Sequence, residues 1–429
     1  MFLASALDYQ TVIALKMHVG RIWLFVALFM CVEGGAGSGK GKDHEVVHIA
    51  YPDILMVGAM KAGTTSLSNL MRSNPAICDY GEKEKHFFNG GEYSHNYEAS
   101  VAKYLAEFKG CKKSQLTMDS TPGYSVEPNV VERMRETYTP DVLDAKKFLF
   151  LVREPVARHF SEYQMEVRLC IDVNEDLKLK NSIEWRLWRH ERACENVMAD
   201  FSSKKNDPAV FAKGYSKGAK ILTFHQWCLS PHGRLELRRG HYKEVIDRYL
   251  HFVRQDQLFL VNFDKLIYET AEIMVGMSDY LNLQGPARWS NATSLPVPKK
   301  SATNVKEQAG LEFTAIECTT VSMLQKYFHI VNNGSVDVWI NKLTLSPTAA
   351  RGQSPFGAFK SPLLKCNQPK SNDTQTMKAL YPSETWSFTE DVLASPHDGH
   401  HILGPAGTLT PLHKSKNLKP KGGWRKEVL

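Results

Sequence analysis

The chain has no Cys-x-x-Cys pair, and its histidines and cysteines show no zinc-ligand spacing, so a zinc site is not indicated. No cluster of carboxylates offers another metal a home. Long basic runs interleaved with aromatics are missing, so nucleic acid is not suggested as a partner despite the formal charge of +7. No segment repeats. The apolar run near the N-terminus, Ile22 to Val32, is eleven residues long, short of the ~20 that a spanning helix needs. Cysteine is sparse, at eight in 429 residues. Cys31 lies in the apolar run, leaving Cys78, Cys111, Cys170, Cys194, Cys228, Cys318 and Cys366, an odd set in which at least one stays free or pairs between chains.

What is present is enough for a sizeable core: 43% hydrophobic residues and eight tryptophans. The length suits one large α/β domain with extensions, or two domains. Arg21 precedes the run Ile22–Val32, and Gly34-Gly-Ala-Gly-Ser-Gly follows it. That pattern reads as a signal-peptide core or a short signal anchor over residues 1–33, with entry into the secretory pathway and membrane contact only through this segment. Residues 34–47 read as a flexible stem, 48–342 as the folded domain, and 343–429, rich in Pro, Gly, Ser and Lys, as a disordered basic tail. Three sequons, at Asn291, Asn333 and Asn372, fit a lumenal glycoprotein.

The chain is organised around Asp53 to Leu67. Ile54-Leu-Met-Val57 is a continuous apolar run of the kind that forms a buried parallel strand. Gly58 and Gly63 bracket a tight loop, and Thr64-Thr65-Ser66 opens a helical pattern. A strand, a glycine-bearing loop and a helix N-terminus make an anion site, because backbone N–H groups converge at a positive dipole end. The spacing of the glycines is that of a Walker A loop, but Thr64 stands where its lysine belongs, and the loop's own lysine is Lys61. That argues against an ordinary NTPase. A second apolar run, Phe148–Val152, leads into Arg153-Glu-Pro155 and a helical pattern through Val156, Phe160 and Tyr163. A third run, Leu258–Phe263, completes the indication of a central parallel sheet with helices on both faces.

Lys61-Ala-Gly-Thr-Thr-Ser-Leu67 resembles the 5′-phosphosulfate loop of sulfotransferases, and Arg153-Glu-Pro-Val-Ala-Arg-His-Phe-Ser161-Glu-Tyr163 resembles their 3′-phosphate element. Lys83-Glu84-Lys85-His86-Phe87-Phe88 and Thr121-Pro-Gly-Tyr124 resemble segments of the Golgi-type glycosaminoglycan sulfotransferases, among them the heparan sulfate glucosaminyl 3-O- and N-sulfotransferases and the N-acetylgalactosamine 4-sulfate 6-O-sulfotransferase. Gly214-Tyr215 to Trp227 is similar to the helix that follows in those enzymes. The likeness spans roughly residues 50–335 and is densest up to Tyr163. It departs from the family in two places. The family's nucleotide-closing loop is matched only by Lys299-Lys300-Ser301, and the cysteine pair that flanks it is missing, with Cys318 alone nearby.

The resemblance implies a P-loop-like fold and 3′-phosphoadenosine 5′-phosphosulfate (PAPS) as the sulfate donor, with no metal. The acceptor it implies is an anionic polysaccharide hydroxyl or amine, met in the Golgi lumen. Lys61, Ala62, Gly63, Thr64, Thr65 and Ser66 would hold the 5′-phosphosulfate, Arg153 and Ser161 the 3′-phosphate, and Lys300 would close over the nucleotide. Lys61 would follow charge onto the leaving oxygen. Glu84 would act as general base, with His86 either competing for that role or orienting Glu84. Arg158 reads equally as a packing or a surface residue. Lys83, Lys85, Arg186, Arg189 and Arg192 either line an acceptor groove or form a solvated face. The competing functions are a non-catalytic nucleotide- or glycan-binding protein, which needs neither Lys61 nor Glu84, and a P-loop kinase-like phosphotransferase, which needs a lysine at position 64.

Overall fold

The computed structural model describes residues 13–19, 22–28, 51–78, 83–90, 97–171, 183–198, 221–285, 288–289, 316–359 and 366–367, and the chain divides into a unit over Met1–Val46 and a unit over Val47–Leu429. In the first unit, β1 (Ile13–Val19) and β2 (Ile22–Leu28) pair as an antiparallel hairpin in which Val19 faces Ile22. The apolar run taken as a targeting core therefore supplies one strand of a hairpin. Among the described residues, no helix is long and apolar enough to cross a membrane.

The second unit is built on a five-stranded sheet in the order β4-β5-β3-β6-β7, with every pairing parallel. The strands are β3 (Ile54–Gly58), β4 (Ile77–Cys78), β5 (Leu116–Ser120), β6 (Lys147–Val152) and β7 (Leu258–Asn262). β3, β6 and β7 are the three apolar runs of the sequence, and they are apolar throughout because both faces of the sheet are covered. β3 is central. From it the chain passes to the edge strand β4, returns to β5 beside β3, then crosses to the other side for β6 and β7. Neighbouring strands β3 and β6 thus send their connections in opposite directions, which opens a crevice at their C-terminal ends. The Gly58–Gly63 loop and Arg153 both leave the sheet there.

The helices are α1 (Thr64–Arg72), α2 (Tyr97–Ala106), α3 (Asn129–Thr137), α4 (Pro140–Asp144), α5 (Pro155–Ile171), α6 (Ile183–Val197), α7 (Phe224–Leu229), α8 (Pro231–Leu237), α9 (Tyr242–Leu250), α10 (Phe263–Tyr268), α11 (Thr270–Tyr280), α12 (Cys318–Val331) and α13 (Val336–Thr344). One apolar cluster surrounds the sheet, from Ile54 through Phe148 to Val261. A second, centred on Trp227, joins α5, α6, α7 and α12.

Several expectations need correction. The segment Tyr215 to Trp227 is not one helix to its end: α7 starts at Phe224, where Thr223 and Gln226 form a reciprocal capping box, and Ile221 bridges Met198 in extended form. The folded part also continues past residue 342. Ala350 and Phe356 are buried, the Asn262 side chain donates to the Phe356 carbonyl at 3.0 Å, and Cys366 bonds Cys318. Residues 343–359 therefore pack on the domain through Thr344, Ala350 and Phe356 and are not a tail, while 360–365 and 368–429 lie outside the described residues. Cys318, which had seemed alone, finds its partner beyond the expected domain end, and β8 (Ile316–Glu317) pairs with β9 (Cys366–Asn367) beside that bond. Cys78–Cys111 and Cys170–Cys194 are the other disulfides, and Cys228 is a buried thiol.

Candidate active site

The loop between β3 and α1 owes its shape to its glycines. A Cβ on Gly58 would stand 2.6 Å from the Ser125 Cβ and 2.8 Å from the Phe150 ring, so only glycine fits. Gly63 has φ +92, and a Cβ there would lie 2.8 Å from the Phe263 ring. Lys61, between them, is held at φ 63, a left-handed conformation that a lysine adopts only when its surroundings impose it. The turn is closed by Ala62 donating to the Ala59 carbonyl, and Ala59 is tied to the Leu151 carbonyl of β6.

α1 then begins at Gly63 without any side-chain cap. The first amides of a helix have no partner within it, so those of Thr64, Thr65 and Ser66 face the loop as donors. Thr64 is buried, Ser66 half-buried and Thr65 exposed. The Lys61 ammonium has no carboxylate within ion-pair distance among the described residues. Burial pushes it down to about 8; the charge of Glu162 opposes this, and those of Arg168, Arg153 and Arg158 add to it.

Arg153 leaves the end of β6 and crosses to the loop, where its Nη1 donates to the Lys61 carbonyl at 3.1 Å. Its guanidinium stacks over Phe263, 4.6 Å from the ring centre, and its buried Nε has no hydrogen-bond partner among the described residues. Glu154 beside it caps the start of α5, accepting from the amides of Val156 and Ala157 at 3.1 and 2.7 Å. Ser161 is half-buried in the second turn of the same helix. Arg158 is a packing residue: fully buried, it donates to Glu162 at 3.0 Å and to the Glu236 carbonyl at 2.9 Å. Glu236 also pairs with Arg239, whose other end reaches the Met60 sulfur in the loop. This buried charge network behind the loop has no signature in the sequence, because its members come from three separate segments.

The Lys83–Phe88 segment lies on the other side of α1. Glu84 and His86 both have positive φ, at 64 and 54. The segment is fastened from beneath by Tyr124, whose hydroxyl accepts from the amides of Phe87 and Phe88 and donates to Asp119 at 2.9 Å. Asp119 is completely buried and also accepts from Tyr104 at 2.8 Å and Thr121 at 2.6 Å. This hub was not foreseen; an acid near the end of a short, mixed strand, Leu116-Thr-Met-Asp-Ser120, is its only trace. Lys85 turns inward, 3% exposed, toward Glu107 and the Phe108 ring, so it lines no groove. Lys83 turns to α1 and bridges Thr65 Oγ1 at 2.9 Å and Glu84 Oε1 at 3.0 Å. The other Glu84 oxygen lies 3.7 Å from His86 Nε2, and His86 Nδ1 lies 3.2 Å from Asn89 Oδ1.

The structure thus brings Lys61, Thr64–Ser66 and Arg153 to one crevice and connects Glu84 and His86 to it through Lys83. Lys300 lies outside the described residues. Arg189 is half-buried and Arg192 exposed on α6. Among the described residues, no group of acids, histidines or cysteines is placed to hold a metal ion.

A glycine-bearing strand–loop–helix turn stands at a topological switch point of a parallel α/β sheet, with a lysine inside the loop and an arginine across from it. Residues 51–350 match the Sulfotransferase domain family, and the chain belongs to that family. The membrane-associated sulfotransferase kil1 of Dictyostelium discoideum is 22% identical over 275 residues, 55% of this chain and 57% of that protein. Human heparan sulfate glucosamine 3-O-sulfotransferase 5 is 23% identical over 251 residues, 58% of this chain and 59% of that protein. The chain therefore spans somewhat over half the length of these curated relatives. Among solved structures, a sulfotransferase from Alicyclobacillus acidocaldarius is 20% identical with a TM-score of 0.40, covering 68% of this chain and 100% of that one.

Proposed function

We propose that this protein transfers the sulfuryl group of PAPS to a hydroxyl or amine of an anionic, glycosaminoglycan-like polysaccharide. One observation carries the reading: the loop that presents uncapped helix amides and Lys61 is joined on one side to Arg153 and on the other, through Lys83, to Glu84. Candidate phosphate ligands and a candidate base thereby meet around the same helix start.

The residues present fit the nucleotide. Uncapped amides and an ammonium without a carboxylate partner suit a 5′-phosphosulfate, and Arg153, with an unpartnered Nε, suits a 3′-phosphate beside Ser161. PAPS supplies a sulfuryl group on a good leaving phosphate. Glu84 takes the proton from the acceptor oxygen or nitrogen as that atom bonds to sulfur. Lys61 meets the electron pair left on the 5′-phosphate oxygen as its bond to sulfur breaks. His86 stands behind Glu84, within reach of its second oxygen, and orients it.

Three disulfides support folding in an oxidising compartment, in keeping with a secretory, Golgi-lumenal location. Asn333, exposed after α12, is the sequon asparagine within the described residues; Asn291 and Asn372 lie outside them. The reading is tested by incubating the purified protein with sulfate-labelled PAPS and a panel of desulfated glycosaminoglycans. Incorporation into at least one polymer supports it. PAPS binding without transfer to any polymer or small acceptor favours a non-catalytic binder, and equal binding of ATP favours a general nucleotide site.

A further inference from the structure

We propose that Lys83 is a positioning residue of the transfer reaction, a strut that sets the Glu84 carboxylate against the first turn of α1 and so ties the base to the phosphosulfate loop. The inference rests on the sulfotransferase reading above and adds to it a residue that neither phosphate motif contains.

The geometry of the segment is unusual in two respects. Glu84 and His86 are both left-handed, with one ordinary residue between them. Such backbone persists only where its surroundings over-determine it. Here they do: the Lys85 side chain is sunk inward with its ammonium over the Phe108 ring, and the two amides that follow His86 are captured by the buried Tyr124 hydroxyl. The backbone is therefore clamped from within the core. The side chain of Glu84, 36% exposed, receives no such support from beneath. Its Oε1 is held from above by Lys83, and Lys83 is in turn anchored on Thr65 Oγ1.

An ammonium has three protons, and two are accounted for by Thr65 and Glu84. The third is available to an anion on the uncapped end of α1. With Oε1 engaged, Oε2 is the oxygen left for an acceptor proton, on the side where His86 stands. One lysine thus selects which carboxylate oxygen acts as base and registers the base against the loop. A surface ion pair of this kind is ordinarily worth little to stability, so its significance is sought in the reaction and not in the melting temperature.

The test is single-turnover sulfate transfer at saturating PAPS with Lys83→Met, Lys83→Arg, Thr65→Val and the double variant Lys83→Met/Thr65→Val, each also melted. The strut predicts that Lys83→Met loses about 10–100-fold in transfer rate, the range of a lost charge-assisted contact. The acceptor KM should stay within a few-fold and the melting temperature near wild type. Lys83→Arg, which can still bridge two oxygens, should recover most of the loss. The double variant should lose less than the product of the two single losses, because both changes break the same link whatever Thr65→Val costs on its own at the loop. A Lys83→Met rate within twofold of wild type, or losses that multiply in the double variant, overturns the strut while leaving the transferase reading standing. A wild-type chain that transfers no sulfate overturns that reading and the strut with it.

Discussion

The Arg153 guanidinium donates to the Lys61 carbonyl across 3.1 Å, joining the ends of the two neighbouring strands whose connections diverge. Arg153 braces the loop, and in the proposed reaction it is also the ligand to the 3′-phosphate. Removing it should cost nucleotide affinity on both counts. One charge-assisted contact is worth about 1.5–3 kcal/mol, so Arg153→Ala should weaken binding of 3′-phosphoadenosine 5′-phosphate roughly ten- to hundredfold or more. Arg153→Lys should recover little, because a lysine cannot keep both the fork and the stacking on Phe263. Calorimetry on the two variants checks this, and unchanged affinity in either contradicts it.

Lys61 links nucleotide binding to pH. Burial holds its ammonium down to about 8 instead of 10.5. Between those values the unfolded chain binds more protons than the folded one, so stability rises with pH through that window, and the full penalty is present below about 8. Lys61→Met should accordingly raise the melting temperature of the free protein at pH 7. A bound phosphate reverses the preference and favours the ammonium. Nucleotide affinity should fall as pH rises above about 8, by at most about tenfold per unit, with proton uptake visible as a buffer-dependent heat. Affinity that is flat from pH 7 to 9.5 contradicts the assignment.

The Asp119 hub should be a point of structural failure that reaches the site. Asp119→Ala leaves the hydroxyls of Tyr104, Tyr124 and Thr121 buried without their acceptor. At ~1–3 kcal/mol for each of the three orphaned groups, a total loss of about 3–9 kcal/mol is expected in denaturant unfolding. Tyr124→Phe should be milder in stability yet still slow transfer, since it releases the amides of Phe87 and Phe88 beneath Glu84.

The cystines offer a covalent check. A non-reduced digest should contain the linked pairs Cys78–Cys111, Cys170–Cys194 and Cys318–Cys366, with Cys228 as a thiol. Cys318–Cys366 closes a loop with a separation of 48 residues, which corresponds to about 4 kcal/mol of chain entropy in the unfolded state. Cys366→Ser should lower the melting temperature accordingly. A digest linking Cys318 elsewhere contradicts the fold beyond residue 342.

The sheet and its crevice were legible because buried parallel strands are written as continuous apolar runs, and because a phosphate loop requires glycines at fixed positions. Ile54–Val57, Phe148–Val152 and Leu258–Asn262 became the three strands those patterns indicate. Single residues whose role depends on remote partners were not legible. Asp119 is held by hydroxyls from its own following turn and from Tyr104 on α2, Arg158 by a carbonyl 78 residues away, and Lys85 points inward although its neighbours are charged. The stretch after residue 342 looked like a tail because it lacks periodicity. It is ordered by the side chain of Asn262 and by a disulfide, neither of which leaves a local pattern.

The central claim, that Lys61 and Glu84 work on one reaction in one crevice, is tested most directly by single-turnover transfer from PAPS to one competent polysaccharide. Wild type, Glu84→Gln, Lys61→Ala and His86→Ala should be measured alongside nucleotide affinity. Glu84→Gln should bind nucleotide as wild type does and lose about 10²–10⁴-fold in transfer, the range for a missing general base. Lys61→Ala should lose at least as much, with a smaller change in product-nucleotide affinity, because its charge matters most as the bond to the leaving oxygen breaks. His86→Ala should fall between these and wild type. The account is contradicted if Glu84→Gln stays within a few-fold of wild type while His86→Ala is the severe variant, or if none of the three slows transfer.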